Sequence, residues 1–379
     1  MARVVLGMKI FMIADPVLSR YGPVTPVFLL GREFSKRGHE VYMISPVFLA
    51  DIKEFEGVGI RVLNLDTWTL MKGEPSVGFF EHWAREAVFS TNSKKMKRVL
   101  KDVERPDVVV NFSNTVAARA DVWYVQGSVA EALRNMYSQL PAPYKVGYLA
   151  LRPFIDVVDR NFIRRVYGLS RVVIANSESQ RRAYEERGIR VYDVIYPPLD
   201  TGVFRPSTSD PSGDYVLVYF GKETDYTAVK AVADAGVKIV AFGSKALSVV
   251  PGELLDHPNI DIRGYVDDES LVRLYSNALF TFFPFTEEPF GYIPIESMAC
   301  GTPVLTYRRQ GPGETVIHGI TGWLASDTKE IVRLAVRIWK EGYPSLMRRR
   351  CRERAMEFDV RRISEKWLSL LSKLTKVGD

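Results

Sequence analysis

Short apolar runs rich in valine and isoleucine alternate with helical segments along the whole chain, and this rhythm constrains the fold more than any other feature. In the first half the runs are MKIFMIAD, EVYMISP, IRVLNLD, DVVVNFS, VWYVQG and RVVIANSE; in the second half they are YVLVYF, KIVAFGS, NIDIRGYV and ALFTFFPF. Such runs are typical of strands that are buried on both faces, as in parallel sheets covered by helices. The pattern therefore predicts an α/β protein with mostly parallel sheets.

The rhythm stops and restarts at residues 196–214, a segment rich in proline and glycine that reads as a linker between domains. A chain of 379 residues is long enough for two cores. We predict one doubly wound domain over residues 1–196 and a second over residues 197–357. Residues 358–379 carry apolar side chains at helical spacing, which predicts a final helix.

Charge and cysteine content limit the expected binding partners and cellular compartment of the protein. The 51 Lys and Arg residues exceed the 45 Asp and Glu residues, a net charge of +6 that favours anionic partners only weakly. Cys300 and Cys351 are too few for a disulfide framework, so we expect a reducing, cytoplasmic compartment. The apolar N-terminus is interrupted by Lys9 and is interpreted as a first strand, not as a signal peptide.

The segment TEEPFGYIPIESMACGTPVL, residues 286–305, concentrates the chemistry. It places Glu288 and Glu296 eight residues apart, with two prolines and a glycine between them. We predict a strand, then a turn, and then a helix that starts near Pro294, because proline is tolerated in a first helical turn. Glu288 would lie on the turn and Glu296 in the first turn of the helix, beside its free N–H groups.

This arrangement suits a ligand that carries both hydroxyl groups and phosphate. The carboxylates would accept hydrogen bonds from hydroxyls, and the N–H groups would bind the anion. Two other interpretations stay open on the residues alone: an acid/base pair of the kind that glycosidases use, or two ordinary surface glutamates. No metal site is predicted, because the four histidines do not cluster in the sequence.

The segment resembles the Glu-x7-Glu signature of the retaining, nucleotide-sugar-dependent glycosyltransferases of family 4, also called group 1. Further segments that resemble this family are GREFSKRGHEVYMIS, SRVVIANSESQRRAY, VIYPPLDTGVFRP and IDIRGYVDDESLVRLYSNALFTFFPF. The resemblance covers most of the chain and is strongest between about residues 258 and 325. It implies the GT-B fold, in which two Rossmann-like doubly wound domains face each other across a cleft and the last helix packs back on the first domain.

The resemblance also implies a role for each matching residue. Glu296 would accept hydrogen bonds from the ribose hydroxyls of the nucleotide, and Glu288 would contact hydroxyls of the donor sugar. Main-chain atoms at Val266 would meet the base, and Gly22, which has no Cβ, would let the backbone approach the phosphate. Backbone N–H groups that would hold the sugar or its diphosphate belong to Phe290, Gly291 and Tyr292.

Two parts of the sequence depart from the family pattern. Lys222 stands where the family has an arginine, and it offers a point charge without the bidentate fork. The second cation of the family is missing at Thr227, and Lys230 or Lys245 could replace it. On the acceptor side, Gln126 stands where many relatives have a histidine; a glutamine can orient a hydroxyl but cannot act as a base.

A basic segment marks a second surface of interest. Residues 132–171 carry seven cations and two acids, interleaved with aromatic residues. A helical stripe within the segment is formed by Leu151, Phe154, Ile155, Val158, Phe162 and Val166. A core-facing helix with a solvated basic face explains this pattern, and the alternative is contact with an anionic membrane that presents a lipid-linked acceptor. A nucleic-acid partner is not predicted, because no recognition motif accompanies the charge.

Together these features predict a retaining glycosyltransferase that moves a hexose from a nucleoside diphosphate sugar to a hydroxyl of a sugar, glycan or lipid-linked acceptor. The expected catalytic residues are Glu288, Gln126 and Lys222, with no metal and no cofactor besides the sugar nucleotide as co-substrate. The expected location is the cytoplasm, or the inner membrane surface as a peripheral protein. The alternatives are another activity of the same fold, such as an epimerase or a phosphorylase, and a protein that only binds the sugar nucleotide.

Overall fold

A computed structural model describes residues 7–69, 75–137, 142–243 and 250–376 of the chain. The chain divides into two compact units. The first contains Met1–Pro198 and Val360–Asp379, and the second contains Leu199–Asp359. The borders expected from the sequence, after residues 196 and 357, lie close to these divisions.

In the described part of the first unit, seven parallel strands form one sheet in the order β3-β2-β1-β4-β5-β6-β7. The strands are β1 (Lys9–Ile13), β2 (Glu40–Ser45), β3 (Ile60–Asn64), β4 (Val108–Asn111), β5 (Ala120–Val125), β6 (Ser170–Ala175) and β7 (Asp193–Val194). Ile10 of β1 lies between Val41 of β2 and Val108 of β4, so the centre of the sheet is apolar and buried. The strand order reverses between β1 and β4.

Helices cover this sheet. They are α1 (Thr25–Lys36), α2 (Ile52–Glu56), α3 (Pro75–Phe89), α4 (Thr91–Val99), α5 (Val129–Met136), α6 (Ala142–Gly168) and α7 (Glu178–Glu185), together with the last helix of the chain, α15 (Val360–Lys376). Trp367 of α15 is buried in the core of the first unit, where its ring lies 5.5 Å from that of Phe112 and 5.3 Å from that of Tyr124. The apolar stripe of the last helix therefore packs within the first unit.

The long helix α6 differs from its sequence prediction on one side. Phe162 and Val166 are buried as the predicted stripe requires. Leu151 and Phe154, predicted on the same stripe, are exposed, so that part of the prediction is wrong. Within the described ranges, no helix combines the length and apolar character needed to cross a bilayer.

The second unit repeats the architecture. Six parallel strands, counted over its described residues, are ordered β10-β9-β8-β11-β12-β13. They are β8 (Val216–Tyr219), β9 (Ile239–Phe242), β10 (Ile260–Ile262), β11 (Thr281–Phe283), β12 (Val304–Tyr307) and β13 (Gly322–Ala325). The helices are α8 (Tyr226–Asp234), α9 (Gly252–Leu255), α10 (Asp268–Asn277), α11 (Tyr292–Ala299), α12 (Gln310–Thr315), α13 (Thr328–Glu341) and α14 (Leu346–Ala355). The prediction of two Rossmann-like, parallel α/β domains is confirmed.

Candidate functional site

The candidate site lies at the carboxyl edge of the second sheet, between β8 and β11, where the strand order reverses. The loop after β8 carries Lys222, and the loop after β11 carries Glu288. The two loops are joined by an antiparallel bridge between Thr224 and Phe285. Ligands of open α/β sheets bind at such a reversal point, so the predicted residues lie where this fold places a binding site.

The helix of the signature, α11, begins at Tyr292, two residues before Pro294, as the prediction of a start near this proline requires. Gly291 precedes it with a φ of +87°, in the left-handed region that glycine enters without steric cost, so the loop turns directly into the helix. Pro294 is the third helical residue, where the backbone still needs no N–H donor. Glu296 is consequently the fifth residue of α11, and its predicted place in the first turn is wrong.

The start of α12 fixes the loop that carries Glu288. The side-chain amide of Gln310 accepts a hydrogen bond from the Glu288 N–H and donates one to the Glu287 carboxylate. The N–H of Gly311 donates to the Glu288 carbonyl at 3.2 Å. A Cβ at Gly311 would overlap the backbone of Phe290, so the close approach of the two segments requires a glycine there.

Glu288 is partly buried, and its environment shifts its titration. Burial and, to a lesser degree, the neighbouring carboxylate of Glu223 together raise the pKa of Glu288 to about 7. The N–H groups of Phe290 and Gly291 oppose this shift, with the Phe290 nitrogen 3.4 Å from Oε1 of Glu288. Glu288 is therefore close to half protonated at neutral pH, and two of the N–H groups predicted to bind donor face its carboxyl group.

Glu296 lies in a second buried environment on α11. The hydroxyl of Tyr275 donates a hydrogen bond to Oε2 of Glu296 at 3.0 Å. Burial raises the pKa of Glu296 to about 7; the Tyr275 hydrogen bond opposes the shift, and the charge of Asp268 adds to it. The Tyr292 hydroxyl is buried and has no hydrogen-bond partner among the described residues.

Glu223 belongs to the site although its residue pattern did not predict it. Burial raises the pKa of this carboxyl group, and the charge of Lys222 beside it lowers the pKa. Burial also raises the pKa of the Tyr219 hydroxyl, and the charges of Glu223, Glu288 and Glu296 raise it further. The charges of three carboxylates therefore act on one another's surroundings at the end of β8. In the sequence, the only signal for the role of Glu223 is its position next to Lys222.

The predicted cations differ in their surroundings. Lys222 is partly buried in the loop after β8, where its charge acts on Glu223. Lys230 lies on α8 and pairs with Asp234 at 2.7 Å, so its ammonium group already has an anionic partner. Lys245 lies outside the described residues. The identity of a second phosphate-binding cation stays a prediction.

Val266, the residue predicted to contact the base of the nucleotide, also lies in the second unit. Val266 lies partly buried in the loop between β10 and α10 and packs against the core of the second unit. Asp268, at the start of α10, is close enough to Glu296 to raise its pKa. The loop of Val266 thus adjoins the helix whose residues surround Glu296.

Two predicted residues belong to the first unit. Gly22 opens a short 3-10 turn, Gly22–Val24, with a φ of +70°, and a Cβ there would meet open space. Gln126 directly follows β5, and its Nε2 donates to the Phe112 carbonyl at 3.1 Å. This hydrogen bond orients the amide group; the acceptor role of Gln126 and the phosphate role of Gly22 stay predictions.

Asp15 is a further buried carboxylate that was not predicted from the sequence. It lies just after β1, beside β4, at the reversal point of the first sheet. Its Oδ1 accepts hydrogen bonds from the Ser113 hydroxyl at 2.6 Å, the Thr115 hydroxyl at 2.9 Å and the Asn114 N–H at 2.8 Å. Its Oδ2 is buried without a hydrogen-bond partner in the described chain, and burial raises its pKa.

Potential metal ligands are dispersed. In the ranges that the structure describes, no three or more His, Cys, Asp or Glu side chains are grouped so that they could hold a metal ion. Both cysteines are buried free thiols. The prediction of a reaction without metal or cofactor stays a prediction.

Comparison with protein families matches both units. A family model described as Glycosyltransferase Family 4 matches residues 22–203, and one described as Glycosyl transferases group 1 matches residues 233–358. Together the two matches cover most of the chain.

Curated relatives match a smaller part of the chain. The GDP-mannose-dependent alpha-(1-6)-phosphatidylinositol dimannoside mannosyltransferase of Mycobacterium tuberculosis is 32% identical over 159 residues, which are 40% of this chain and 41% of that protein. The D-inositol 3-phosphate glycosyltransferase of Mycobacterium bovis is 30% identical over 156 residues, 35% of this chain and 32% of that protein. The chain thus matches less than half the length of these relatives.

Solved structures match the chain over nearly its full length. Anabaena Alr3699/HepE in complex with UDP and glucose has a TM-score of 0.68 and 16% identity, covering 96% of this chain and 99% of that one. Sucrose-phosphate synthase from Thermosynechococcus elongatus has a TM-score of 0.66 and 18% identity, covering 97% and 100%. WaaG, a glycosyltransferase involved in lipopolysaccharide biosynthesis, has a TM-score of 0.66 and 14% identity, covering 96% and 99%. At these identities the likeness shows the fold.

Proposed function

This chain belongs to the group 1 glycosyltransferases of GT-B fold, and from that premise we propose that it transfers a hexose from a nucleoside diphosphate sugar to a hydroxyl acceptor with retention of configuration. In this reaction the bond between the anomeric carbon and the diphosphate oxygen breaks, and a bond from that carbon to the acceptor oxygen forms. The proton of the acceptor hydroxyl passes to the departing diphosphate. No protein nucleophile is required.

One observation carries the proposal: Glu288 lies in the loop at the reversal point of the second sheet, Glu296 lies on the helix that follows this loop, and burial raises the pKa of both carboxyl groups to about 7. An ionised carboxylate accepts hydrogen bonds from hydroxyls, and a protonated carboxyl group can also donate one. Glu288 forms hydrogen bonds with the hydroxyls of the donor sugar, and Glu296 forms hydrogen bonds with those of the ribose. Lys222 neutralises part of the diphosphate charge as it develops on the leaving group.

The relatives support a hexose donor and leave the base open. One is named as GDP-mannose-dependent, and one solved structure contains UDP and glucose. A thermal-shift screen of UDP-, GDP- and ADP-hexoses identifies the donor, because a ligand that binds only the native state raises its melting temperature. Transfer to sugar and lipid-linked acceptors is then followed by NMR of the anomeric proton.

The expected product keeps the anomeric configuration of the donor. An inverted product would reject retention, and phosphorolysis or epimerisation of the donor without transfer would favour the other activities of this fold. The Glu288→Gln variant should transfer more slowly than the Glu269→Gln variant, which makes the same change on the exposed surface of α10. Activity that survives chelation with EDTA would support a metal-independent reaction.

A second candidate function is binding without catalysis. Thr227, where the family has its second cation, is exposed on α8, and Lys230 is paired with Asp234. A weakened phosphate clamp would stabilise the leaving group less. Calorimetry that shows sugar-nucleotide binding, with neither transfer nor slow hydrolysis detected, would establish this version.

The proposal includes a cytoplasmic location at the surface of an anionic membrane. Helix α6 exposes large apolar side chains: Val146 is 70% exposed, Phe154 63% and Val157 50%. Exposed apolar side chains beside cations are typical of helices that lie in a membrane interface. A lipid-linked acceptor would be presented at such a surface, and flotation with anionic vesicles tests the association.

A further inference from the structure

A pocket of about 220 Å³ lies in the first unit among α5, α6 and the residues that follow α7. Four arginines and two aspartates give its lining a net positive charge. The lining residues are Ser128, Ala130, Arg134, Asp156, Asp159, Arg160, Ile163, Arg164 and Arg187. The volume is about seven times the share of one molecule in liquid water, enough for a phosphate with a small polar group attached.

The arginines of this pocket are only partly satisfied by the protein. Arg160 and Arg164, one helical turn apart on α6, are exposed and make no ion pair with any residue in the described ranges. Arg187 pairs with Glu131 at 3.4 Å through Nη2, but its Nη1 is buried and has no hydrogen-bond partner in the described chain. Guanidinium groups are donors only, so the pocket offers an excess of donors to a ligand rich in oxygen.

The buried aspartate of the pocket is engaged by the fold. Asp159 lies beside the start of α5, where the N-cap residue Ser128 accepts a hydrogen bond from the Glu131 N–H, and the side chain of Ser128 and the N–H of Ala130 both favour its ionised form. Burial raises the pKa of Asp159 to about 6, so at neutral pH it is mainly ionised and committed to these donors. Among the described residues Asp159 makes no ion pair with Arg160 or Arg164, whereas the positive charge of Arg187 acts on it and lowers its pKa.

The exposed apolar side of α6 continues into this rim. Pro153 interrupts the hydrogen bonding of α6 between Val146 and Val157. Beyond this proline, Val157 and Arg164 are separated by seven residues, close to two helical turns, so they share one side of the helix. Arg160 lies one turn before Arg164 on the same side. The side of α6 that exposes Val157 thus also carries the two unpaired arginines that line the pocket.

We propose that this pocket binds the phosphate of an anionic phospholipid head group while the exposed apolar side of α6 lies in the membrane interface. The inference rests on the membrane association proposed above and names its ligand. The arginines donate charge-assisted hydrogen bonds to phosphate oxygens, and the apolar side chains enter the boundary between head groups and acyl chains. The pocket gives the association a specific contact beyond the general attraction of a basic surface.

Co-sedimentation with vesicles of phosphatidylcholine, with and without phosphatidylglycerol, tests the proposal. The wild type should bind the anionic vesicles. The double variant Arg160→Gln/Arg164→Gln should bind them at least about tenfold more weakly. The matched control is Arg333→Gln/Arg337→Gln, which removes the same charge at the same spacing from the exposed side of α13 in the second unit. It should bind within about twofold of the wild type.

A second pair of variants separates the apolar contribution. Phe154→Ser should weaken vesicle binding, whereas Phe89→Ser, at a site 65% exposed at the end of α3, should not. Melting temperatures establish that every variant is folded. Equal losses in both arginine double variants would overturn the pocket and leave only attraction by net charge.

Two other results would also overturn the proposal. If the wild type binds no vesicle at low salt, both the lipid site and the membrane association fail. If inorganic phosphate or glycerol 3-phosphate raises the melting temperature of the wild type but not of Arg160→Gln/Arg164→Gln, and vesicles do not bind, the site takes a soluble phosphate. Transferase activity of the wild type with a water-soluble acceptor reports separately on the proposed reaction.

Discussion

Replacing Glu296 with glutamine should stabilise the protein at pH 8 and weaken donor binding. Burial raises the pKa of Glu296 from 4.5 to about 7. Each pKa unit corresponds to about 1.4 kcal/mol, so the ionised carboxylate costs up to about 3 kcal/mol, and about 1–3 kcal/mol once residual solvent contact is considered. Glutamine carries no charge, and its carbonyl oxygen can still accept the hydrogen bond that the Tyr275 hydroxyl makes at 3.0 Å.

The sign of the pH dependence follows from linkage. Between about pH 4.5 and 7 the folded state holds the proton of Glu296 more tightly than the unfolded chain, so wild-type stability falls as pH rises through this window. Below it the penalty is absent, and above it the penalty is complete. The Glu296→Gln variant should lose part of this slope, and the rest should persist because burial raises the pKa of Glu288 to about 7 as well.

Urea unfolding at pH 5 and pH 8 measures the effect. Glu269→Gln is the control, because the Glu269 side chain is 86% exposed and its replacement should change stability by less than about 0.5 kcal/mol. Calorimetry with the donor should show a loss of roughly tenfold or more in Glu296→Gln, since hydrogen bonds to charged groups contribute about 1.5–3 kcal/mol. If the wild type and Glu296→Gln lose the same stability between pH 5 and pH 8, the shifted titration is refuted. Unchanged donor affinity would remove Glu296 from the ribose site.

Three further substitutions test the fold and the site. Trp367→Ala should destabilise the first unit by about 3–5 kcal/mol in denaturant unfolding, because it empties a buried aromatic cluster; a loss below about 1 kcal/mol would contradict its core position. Gly311→Ala should lower donor affinity, since a Cβ there displaces the backbone of Phe290, whereas Gly252→Ala, where a Cβ meets open space, should bind as the wild type does. Lys222→Ala should reduce kcat more than Lys222→Arg, and equal rates in both would exclude a role for this charge.

The sheets could be predicted from the sequence because buried parallel strands need continuous apolar runs. Each strand predicted in the first unit is present. The strand that was not predicted in the first unit, β7, has only the two residues Asp193–Val194 and carries no such run; in the second unit β12 and β13 were not predicted either. Edge strands this short are formed by pairing with a neighbour, here β6, and not by their own pattern.

The start of α11 could not be derived from the prolines alone. A proline is compatible with any of the first positions of a helix, so Pro294 limits the start without fixing it. The backbone of Gly291 decides the matter, because its left-handed conformation ends the loop one residue before Tyr292. A Cβ at Gly291 would also lie 3.1 Å from the side chain of Pro312, a neighbour that is distant in sequence and that the local pattern does not reveal.

Glu223 escaped prediction for a related reason. Its sequence neighbours mark it as a loop residue, and nothing local shows that β8 and β11 are adjacent strands. Only this adjacency brings its carboxylate near Glu288, and the shifted pKa values arise from that proximity together with burial. Electrostatic features of a site are tertiary properties, whereas the residue types that form them can be read from the sequence.

The raised pKa values of Glu223 and Glu288 and the missing cation at Thr227 both affect the net charge that a diphosphate would meet in this site. A diphosphate that approaches Lys222 also approaches Glu223, whose charge is felt by Glu288. With two ionised carboxylates and one lysine, the diphosphate would meet net repulsion. Because the pKa of Glu288 lies near 7, this group can take up a proton as the donor arrives, which removes one negative charge at little cost. Protonation of a buried carboxyl group can thus provide part of the neutralisation that the family obtains from its second cation.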